Sequence, residues 1–306
     1  MNSGAERKTG WREAILDGDG LWQALRIRDA LLIVVATASA ALFLRTFVLE
    51  AYRIPSRSME RTLLAGDFLL VNKFVYGATT PRYVPFTSIP IPHLTLPAFA
   101  SPHRGDVMVF RFPGAQGPGD NHPSANYVKR VVAIPGDTVV IEGGNVFVNG
   151  APAPVPHLAS GGARPFPSAR FVGDWIPRLG ALHPTRSRPV VVPGTDQVLR
   201  LSTDPIDWWR QLIEQEGHRV EILHDGRVAI DGTITETYRF SRNYYFVLGD
   251  NRNDSYDSRY WGFVPDDNII GRAMMVYWSW EETVLPMSLP ERLRAVRWPR
   301  IGTIVR

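Results

Sequence analysis

The sequence predicts a mainly β protein in which an antiparallel β-sheet forms the principal domain, a smaller β-rich domain is inserted into it, and one transmembrane helix precedes both. Three observations lead to this prediction. An apolar run of membrane-spanning length lies at residues 30–49. Short apolar or alternating runs bounded by Gly, Pro, Asn and Asp follow it, which is typical of antiparallel strands. A Pro- and Gly-rich stretch at residues 151–193 interrupts these runs and indicates an inserted domain.

The apolar run has the length and charge pattern of a membrane anchor. Residues 30–44 carry no charged side chain, and the run continues to Leu49 with Arg45 as its single charge. At about 1.5 Å per residue, a helix of this length spans roughly 30 Å, the hydrocarbon thickness of a bilayer. A buried core helix and a cleaved secretory signal are the alternatives.

The charges around this run do not fix its orientation, because arginines flank it on both sides and the positive-inside rule counts both flanks. A long C-terminal part can cross the membrane largely regardless of its charge. Residues 30–49 are the expected anchor, and a cytoplasmic tail at residues 1–29 with the main domain outside stays open at this point.

The strands are expected where apolar runs end in turn residues. Asn-Gly, Asp-Gly and Gly-Gly pairs favour tight hairpins, and they occur at residues 143–144, 149–150, 225–226 and 231–232. Candidate strands lie at residues 68–73, 106–112, 127–133, 138–142, 145–148, 219–223, 227–230, 244–248 and 273–278. We assign residues 50–136 and 238–283 to the principal domain, 137–237 to the inserted domain, and 284–306 to a basic C-terminal tail.

One helix interrupts this β pattern at residues 203–217. Thr203 or Asp204 is its expected N-cap, Pro205 lies in its first turn, and Gly217 ends it. The Pro-rich residues 77–102 are still apolar and predict an ordered extended loop. The basic tail mixes arginine with Leu, Val, Trp and Ile, so it is either an end docked on the domain or a segment at the membrane interface.

Composition excludes several kinds of chemistry. The chain has no cysteine and its seven histidines form no close ligand pair, so we expect no metal site. No Gly-rich phosphate-binding motif occurs, so we expect no cofactor. The net charge is only +4, and the arginines are scattered rather than interleaved with aromatic residues, so nucleic acid is not an expected partner.

Two serines just after the anchor raise the question of a nucleophile, which requires a proton acceptor. No G-x-S-x-G elbow frames any serine, although a histidine partner stays open from the sequence alone. A neutral lysine is the other known solution, and Lys129 suits it. Period-two alternation places Lys129 on one face with Tyr127, Val131 and Ala133, and Arg130 on the opposite face. An exposed edge lysine is the ordinary alternative.

Three separated blocks resemble bacterial type I signal peptidases, also called leader peptidases. PSRSMERTLLAGDFLLVNKF resembles the nucleophile box of that family, YVKRVVAIPGD its lysine box, and GDNRNDSYDSRYWGFVP its C-terminal box. The blocks occur in the family's order, directly after the apolar run. The resemblance implies an antiparallel β catalytic domain and a Ser/Lys endopeptidase that needs no cofactor.

By this resemblance Ser58 is the nucleophile and Lys129 the general base. Ser56 matches the side-chain donor of the oxyanion hole, which would act with the backbone N–H of Ser58. Ser255 matches a serine that orients the lysine, and Asp257 and Arg259 match an ion pair that supports the site. The positions that match a pocket for small side chains are Tyr52, Ile54, Pro55, Met59, Leu63, Leu69, Tyr127 and Val128, for each of which core packing is the plain alternative.

The implied substrate is a preprotein signal peptide emerging from the export machinery, cut after a small-x-small motif and bound as an extended strand. The implied location is the bacterial plasma membrane, with a single pass, a cytoplasmic N-terminus and the catalytic domain on the outer, periplasmic face. The lipid bilayer is therefore the second expected partner.

The resemblance is not complete. Arg61 stands where the family usually has proline, and Asn253 and Asp254 reverse the family's usual order. A non-catalytic membrane-anchored protein that retains the peptide cleft is therefore the competing hypothesis. A self-cleaving repressor-type protease shares the same dyad but lacks an anchor and carries a DNA-binding region, and neither trait fits this chain.

Overall fold

The structure, a computed structural model, describes residues 18–77, 97–113, 126–142, 145–153, 189–201, 206–281 and 288–306. Several expectations fall outside these residues: most of the Pro-rich loop at 77–102 and of the stretch at 151–193, the Gly-Gly turn at 143–144, and the first residues of the predicted helix at 203–205. The first part of the N-terminal tail also lies outside them.

The apolar run forms most of helix α1 (Gly18–Phe43), which one π-helical turn (Leu44–Val48) extends. The segment Arg28–Val48 has 21 residues, a mean hydropathy of 2.1, and no part buried against protein. This exposure argues against the core-helix alternative. The predicted anchor at residues 30–49 overlaps this segment, and Leu49 begins the first strand.

The strands confirm a mainly β, antiparallel fold. Along the chain they are β1 (Leu49–Arg53), β2 (Asp67–Asn72), β3 (Val107–Arg111), β4 (Asn126–Ala133), β5 (Thr138–Glu142), β6 (Asn145–Val148), β7 (Ala151–Pro152), β8 (Val190–Val191), β9 (Val198–Arg200), β10 (Val220–Ile222), β11 (Val228–Ile230), β12 (Thr233–Ile234), β13 (Thr237–Arg239), β14 (Tyr244–Leu248), β15 (Val264–Pro265) and β16 (Ile269–Ser279).

Seven strands form the main sheet, in the order β1-β2-β16-β3-β4-β14-β15, and every pair of neighbours is antiparallel. The order joins strands far apart in sequence, since β16 lies between β2 and β3. The pairing of β4 with β14 shifts register between Phe246 and Val247. This bulge brings Val132 and Ala133 into one core cluster, so the alternation predicted for β4 holds only as far as Val131.

The smaller sheets comprise β7-β6-β5-β8, β10-β11-β12 and β13-β9. Their hairpins confirm the predicted Asn-Gly and Asp-Gly turns: Asn149 and Gly150 have φ values of 52° and 82°, and Asp231 and Gly232 have 51° and 78°. Both residues of a type I′ turn need positive φ, which Asn, Asp and Gly tolerate best. The structure does not test the predicted domain boundaries, which stay predictions.

Among the described residues, three further α-helices follow in chain order: α2 (Ile206–Gln215), α3 (Ser258–Trp261) and α4 (Leu289–Arg294). Helix α2 is the helix predicted at 203–217, and Gly217 after it has φ of 94°, as expected of a residue that ends a helix. Its buried face, which includes Trp209 and Ile213, packs into the core of the smaller sheets.

The C-terminal tail docks on the main sheet. Val296 bridges to Trp280 and Ile304 bridges to Met275, and the side chains of Val296 and Val305 are each only 7% exposed. Of the two alternatives for the tail, the described contacts support a docked end.

Candidate active site

The serines lie in a turn that leaves edge strand β1 and returns to β2. The chain ends of this turn are tied together, because Ile54 N–H donates to the Asp67 carbonyl at 2.8 Å and Gly66 N–H donates to the Ile54 carbonyl at 2.9 Å. Met59 and Leu63, one helical turn apart, are 1% and 0% exposed. These two apolar side chains pack the turn against the core, and the serines lie at the edge of the turn.

Lys129 reaches Ser58 across the sheet. Its Nζ lies 2.6 Å from Ser58 Oγ, although the two residues are 71 positions apart in sequence. The lysine side chain is almost completely enclosed, with 2% exposure, and it lies in β4 opposite Met108 of β3. The Tyr127 ring centroid lies 5.6 Å from the same Nζ atom.

Burial removes water from the ammonium group and therefore lowers the pKa of Lys129 from its ordinary 10.5 to about 8. The nearby Asp257 carboxylate acts in the opposite direction, while the Arg259 guanidinium acts with burial. The Asp250 carboxylate also acts against burial. Desolvation is the largest of these effects and sets the direction in which the pKa of Lys129 moves.

The Asp257–Arg259 pair is a well-formed buried ion pair. Arg259 Nε lies 2.8 Å from Asp257 Oδ1, and the Asp257 side chain has no exposed surface. Burial alone would raise the pKa of Asp257, but the Arg259 charge and its hydrogen bonds, with a further bond from Gly249 N–H, lower it. Arg259 also donates to the Arg252 carbonyl at 2.7 Å. The pair thus fixes the segment that follows β14.

That segment packs against Ser58. Asn251 N–H donates to the Ser58 carbonyl at 3.0 Å. Gly249 lies so close that an added Cβ would be 2.5 Å from the Ser58 carbonyl oxygen and 2.1 Å from Ser255 Oγ. Only glycine permits this approach. Ser255 is completely buried, and its hydroxyl has no hydrogen-bond partner in the part of the chain that the structure describes.

Ser56 is exposed, and its Oγ lies 3.3 Å from Ser58 Oγ. The bend at residues 56–57 and the turn that begins at Ser58 bring the two hydroxyl groups together. A donor so close to the nucleophile is suitably placed for the negative oxygen that forms when a carbonyl is attacked.

The sequence did not predict a second buried ion pair, which lies beside Lys129. Arg130, next to Lys129 in β4, donates to Asp250 Oδ1 at 2.8 Å and to Asp250 Oδ2 at 2.7 Å, and both side chains are almost wholly buried. Thr62 Oγ1 donates to the same carboxylate at 2.6 Å. The strand alternation indicated that Arg130 faces away from Lys129, but no local signal identified a partner 120 residues away.

The positions matched to a pocket fall into separate surroundings. Tyr127 packs with the cluster around Phe110, and Pro55 is exposed. The others share one core cluster, as buried members or packed against it: Tyr52, Ile54, Met59, Leu63, Leu69 and Val128. Their burial is compatible with core packing as well as with lining a pocket from below.

Known signal peptidases are similar to this chain along most of its length. The family described as signal peptidase, peptidase S26, matches residues 27–278. Signal peptidase I of Pseudomonas aeruginosa is 33% identical over 274 residues, which cover 86% of this chain and 74% of that protein. Signal peptidase I of Pseudomonas fluorescens is 34% identical over 255 residues, covering 80% and 70% respectively. Signal peptidase I of Aquifex aeolicus is 30% identical over 284 residues, covering 84% and 87%. This chain is a serine endopeptidase that belongs to the signal peptidase family, peptidase S26.

Proposed function

We propose that this protein is a membrane-anchored endopeptidase that removes N-terminal signal peptides from exported preproteins after a small-x-small motif, with Ser58 as nucleophile and Lys129 as general base. The contact of 2.6 Å between Lys129 Nζ and Ser58 Oγ carries the proposal. A lysine with a pKa of about 8 is neutral in about a tenth of molecules at pH 7 and in about half at pH 8, and a neutral amine is a competent base.

In the first half-reaction Lys129 Nζ takes the proton from Ser58 Oγ as the oxygen attacks the scissile carbonyl. The carbonyl oxygen becomes negative in the tetrahedral intermediate, where Ser56 Oγ and the Ser58 N–H are the proposed donors. The protonated lysine then gives its proton to the leaving amine. This step breaks the C–N bond, releases the mature protein and leaves the signal peptide as an ester on Ser58.

In the second half-reaction the lysine, neutral again, takes a proton from water as that water attacks the ester. The carbonyl re-forms with loss of the Ser58 oxygen, which recovers the proton from Lys129. Ser255 is proposed to orient the lysine, and its buried hydroxyl beside Gly249 supports a place near the dyad. Asp257 and Arg259 are proposed to hold that segment in place.

The sheet offers edges for an extended substrate. β1 is the first strand of the main sheet, and within the described residues it pairs only with β2. β14 pairs with β4 only from Arg130 onward, so in the described part of the chain residues 126–129 have a strand on one side only. A peptide added between these edges would gain main-chain hydrogen bonds and present alternate side chains to the protein. The cluster around Met59 and Leu63 is the proposed floor for the small residue before the cut.

The exposed apolar segment Arg28–Val48 supports the proposed membrane anchor. The bacterial plasma membrane, the cytoplasmic N-terminus and the catalytic domain on the outer face are proposed from the family resemblance. The chain passes from this segment into β1 without a linker. A substrate whose signal peptide is still held in the bilayer would therefore meet the enzyme at the same surface.

The test is cleavage of a signal-peptide-bearing preprotein by the detergent-solubilised full chain at pH 8. Ser58→Ala and Lys129→Ala should each abolish cleavage, while Ser56→Ala should reduce the turnover rate by about 10² to 10³, as for loss of one oxyanion donor. Lys73→Ala is the matched control, since Lys73 pairs with Glu50 on β1 and has no proposed role in the chemistry.

The competing function is a non-catalytic peptide binder, which the unusual Arg61 favours. If the wild type binds the preprotein without cutting it, peptide binding replaces proteolysis as the proposed function. Cleavage after a small residue that survives Lys129→Ala would instead refute the proposed base while leaving a protease.

A further inference from the structure

The C-terminal segment 297–306 completes the main sheet beside the nucleophile turn. Arg297 N–H donates to the Ser279 carbonyl at 2.9 Å, Gly302 N–H to the Val276 carbonyl at 2.8 Å, and Val305 N–H to the Met274 carbonyl at 2.8 Å. These bonds run along the part of β16 that lies beyond its pairing with β3. The segment is therefore fixed by its backbone, and its side chains have defined positions.

Two arginines of this segment converge on Asp67, the residue that ends the nucleophile turn and begins β2. Arg300 Nε lies 3.0 Å from Asp67 Oδ1 and 3.1 Å from Oδ2, and Arg300 Nη2 lies 2.5 Å from Oδ2. Arg297 Nη1 is 3.7 Å from Oδ1. The Asp67 side chain has no exposed surface, and it also accepts from Leu64 N–H at 2.8 Å. A buried carboxylate needs such partners.

The same arginines also hold the backbone of the turn. Arg300 Nη2 donates to the Thr62 carbonyl at 3.0 Å, and Arg297 Nη2 donates to the Ala65 carbonyl at 3.0 Å. One planar guanidinium, that of Arg300, thus links the end of the turn to its middle. Arginine is suited to this because its donors form a rigid fork, which a lysine ammonium lacks.

Thr62 is held from its other side by the strand that carries the lysine. Its Oγ1 accepts from Arg130 Nη2 at 3.1 Å and donates to Asp250 Oδ2 at 2.6 Å. Arg130 Nη1 in turn donates to the Arg306 carbonyl at 2.9 Å. The C-terminal segment therefore contacts both the turn with Ser58 and the strand with Lys129.

We propose that Arg300 is a positioning residue for the reaction: its guanidinium clamps Asp67 and the Thr62 carbonyl, and so holds the Ser58 turn at hydrogen-bond distance from Lys129. This inference rests on the proposed function for its kinetic consequence, but the clamp itself is a statement about the turn. Displacing a reacting group by about 1 Å can reduce a rate by about 10². Loss of the clamp should therefore slow turnover more than it weakens substrate binding.

The test compares Arg300→Ala with Arg300→Lys and with Arg294→Met, a control at an exposed arginine of α4 in the same C-terminal region. We expect Arg300→Ala to lower kcat by about 10- to 100-fold with KM changed less than about twofold. Arg300→Lys should recover part of the loss. Methylguanidinium should also recover part of it, since the Arg300 side chain is 21% exposed and its place is open to solvent.

The pH profile separates positioning from general loosening. The pKa of Lys129 is set by its burial in β4 and not by Arg300, so the acid limb of kcat should stay at the wild-type pH. Wild-type kcat in Arg300→Ala, an equal loss in Arg294→Met, or an acid limb that moves to higher pH would each overturn the proposal. If Arg300→Ala fails to fold, Asp67→Asn with Arg300→Met removes both charges together, and wild-type kcat in that variant would overturn it equally.

A second readout does not depend on peptidase activity. Amide hydrogen exchange in residues 58–67 should become about tenfold faster in Arg300→Ala than in Arg294→Met, with exchange in 126–133 unchanged. If the wild type cleaves no preprotein, the proposed function fails, and this exchange result alone decides the clamp. Unchanged exchange in 58–67 would refute it.

Discussion

Replacing Lys129 by methionine is expected to stabilise the folded protein near pH 7, although the change removes the proposed general base. Methionine has a similar shape and no charge, and the site of Lys129 is only 2% exposed. The folded protein must hold the lysine in a place that disfavours its ammonium form. A methionine there carries no such cost.

The magnitude follows from the pKa. Burial lowers the pKa of Lys129 from 10.5 to about 8, a difference equivalent to about 3 kcal/mol of free energy of unfolding. Between these two pH values the unfolded chain binds a proton that the folded chain does not, so the wild type gains stability as the pH rises through this window. Below about pH 8 both states carry the proton, so the buried ammonium lowers the free energy of unfolding by the full amount. Above about pH 10.5 both states are neutral, so this destabilisation is absent.

The assay is thermal denaturation of wild type and Lys129→Met across pH 7 to 11. The Tm advantage of the variant should shrink by about 6 to 12 °C over that range, as for a domain of 150–250 residues. Ser58→Ala is the control, because it removes the hydrogen bond between these side chains but keeps the amine. A Tm difference that does not change with pH would refute the argument that Lys129 is buried at an energetic cost.

Substitutions at three further positions test the surroundings of Ser58 and Lys129. Gly249→Ala should lower the cleavage rate by about 10², because its Cβ would come within 2.5 Å of the Ser58 carbonyl; a wild-type rate would contradict the close approach. Arg61 has φ of 107°, a backbone conformation that glycine adopts more easily than arginine, so Arg61→Gly should raise the free energy of unfolding by about 1 kcal/mol in thermal denaturation. Arg61→Pro should lower it, because proline fixes φ near −65°. A proline that stabilises the protein would refute this conformation of the turn. Arg259→Met should lower stability by about 3 to 5 kcal/mol by leaving its buried carboxylate unpaired. It should also raise the pKa of Lys129, so the acid limb of the cleavage rate would move to higher pH, and an unmoved limb would contradict the electrostatic role.

Elements with local signals could be predicted from the sequence. The hairpins around Asn149 and Asp231 follow from the φ preferences of turn residues, and the apolar helix follows from its length. β1 was missed because Leu49 continues the apolar run, so hydropathy gave no boundary between helix and strand. β16 extends from Ile269 to Ser279, longer than the predicted 273–278, because Gly271 and Arg272 interrupt its apolar run in the sequence.

In the candidate site, too, features with a local signal could be predicted and contacts between distant residues could not. The alternation of β4 correctly predicted that Lys129 points into apolar surroundings, since a pleated strand dictates that direction locally. The partners of the surrounding charges could not be predicted, because they are distant in sequence. Arg130 and Asp250 are separated by 120 residues, and Arg300 and Asp67 by 233. Such pairs depend on the order of strands in the sheet, which no short motif encodes.

The neighbouring residues Lys129 and Arg130 illustrate why a strand suits this chemistry. Consecutive side chains of a strand point to opposite faces, so one strand presents an amine to Ser58 at 2.6 Å and a guanidinium to Asp250 at 2.7 Å. Burial makes a lysine neutral and therefore basic, whereas an arginine keeps its charge when buried and so remains an ion-pair partner. If the two residue types were exchanged, a permanently charged arginine would lie beside Ser58 and could not act as a base. A lysine that can lose its charge would lie beside Asp250. The same strand therefore requires lysine on one face and arginine on the other.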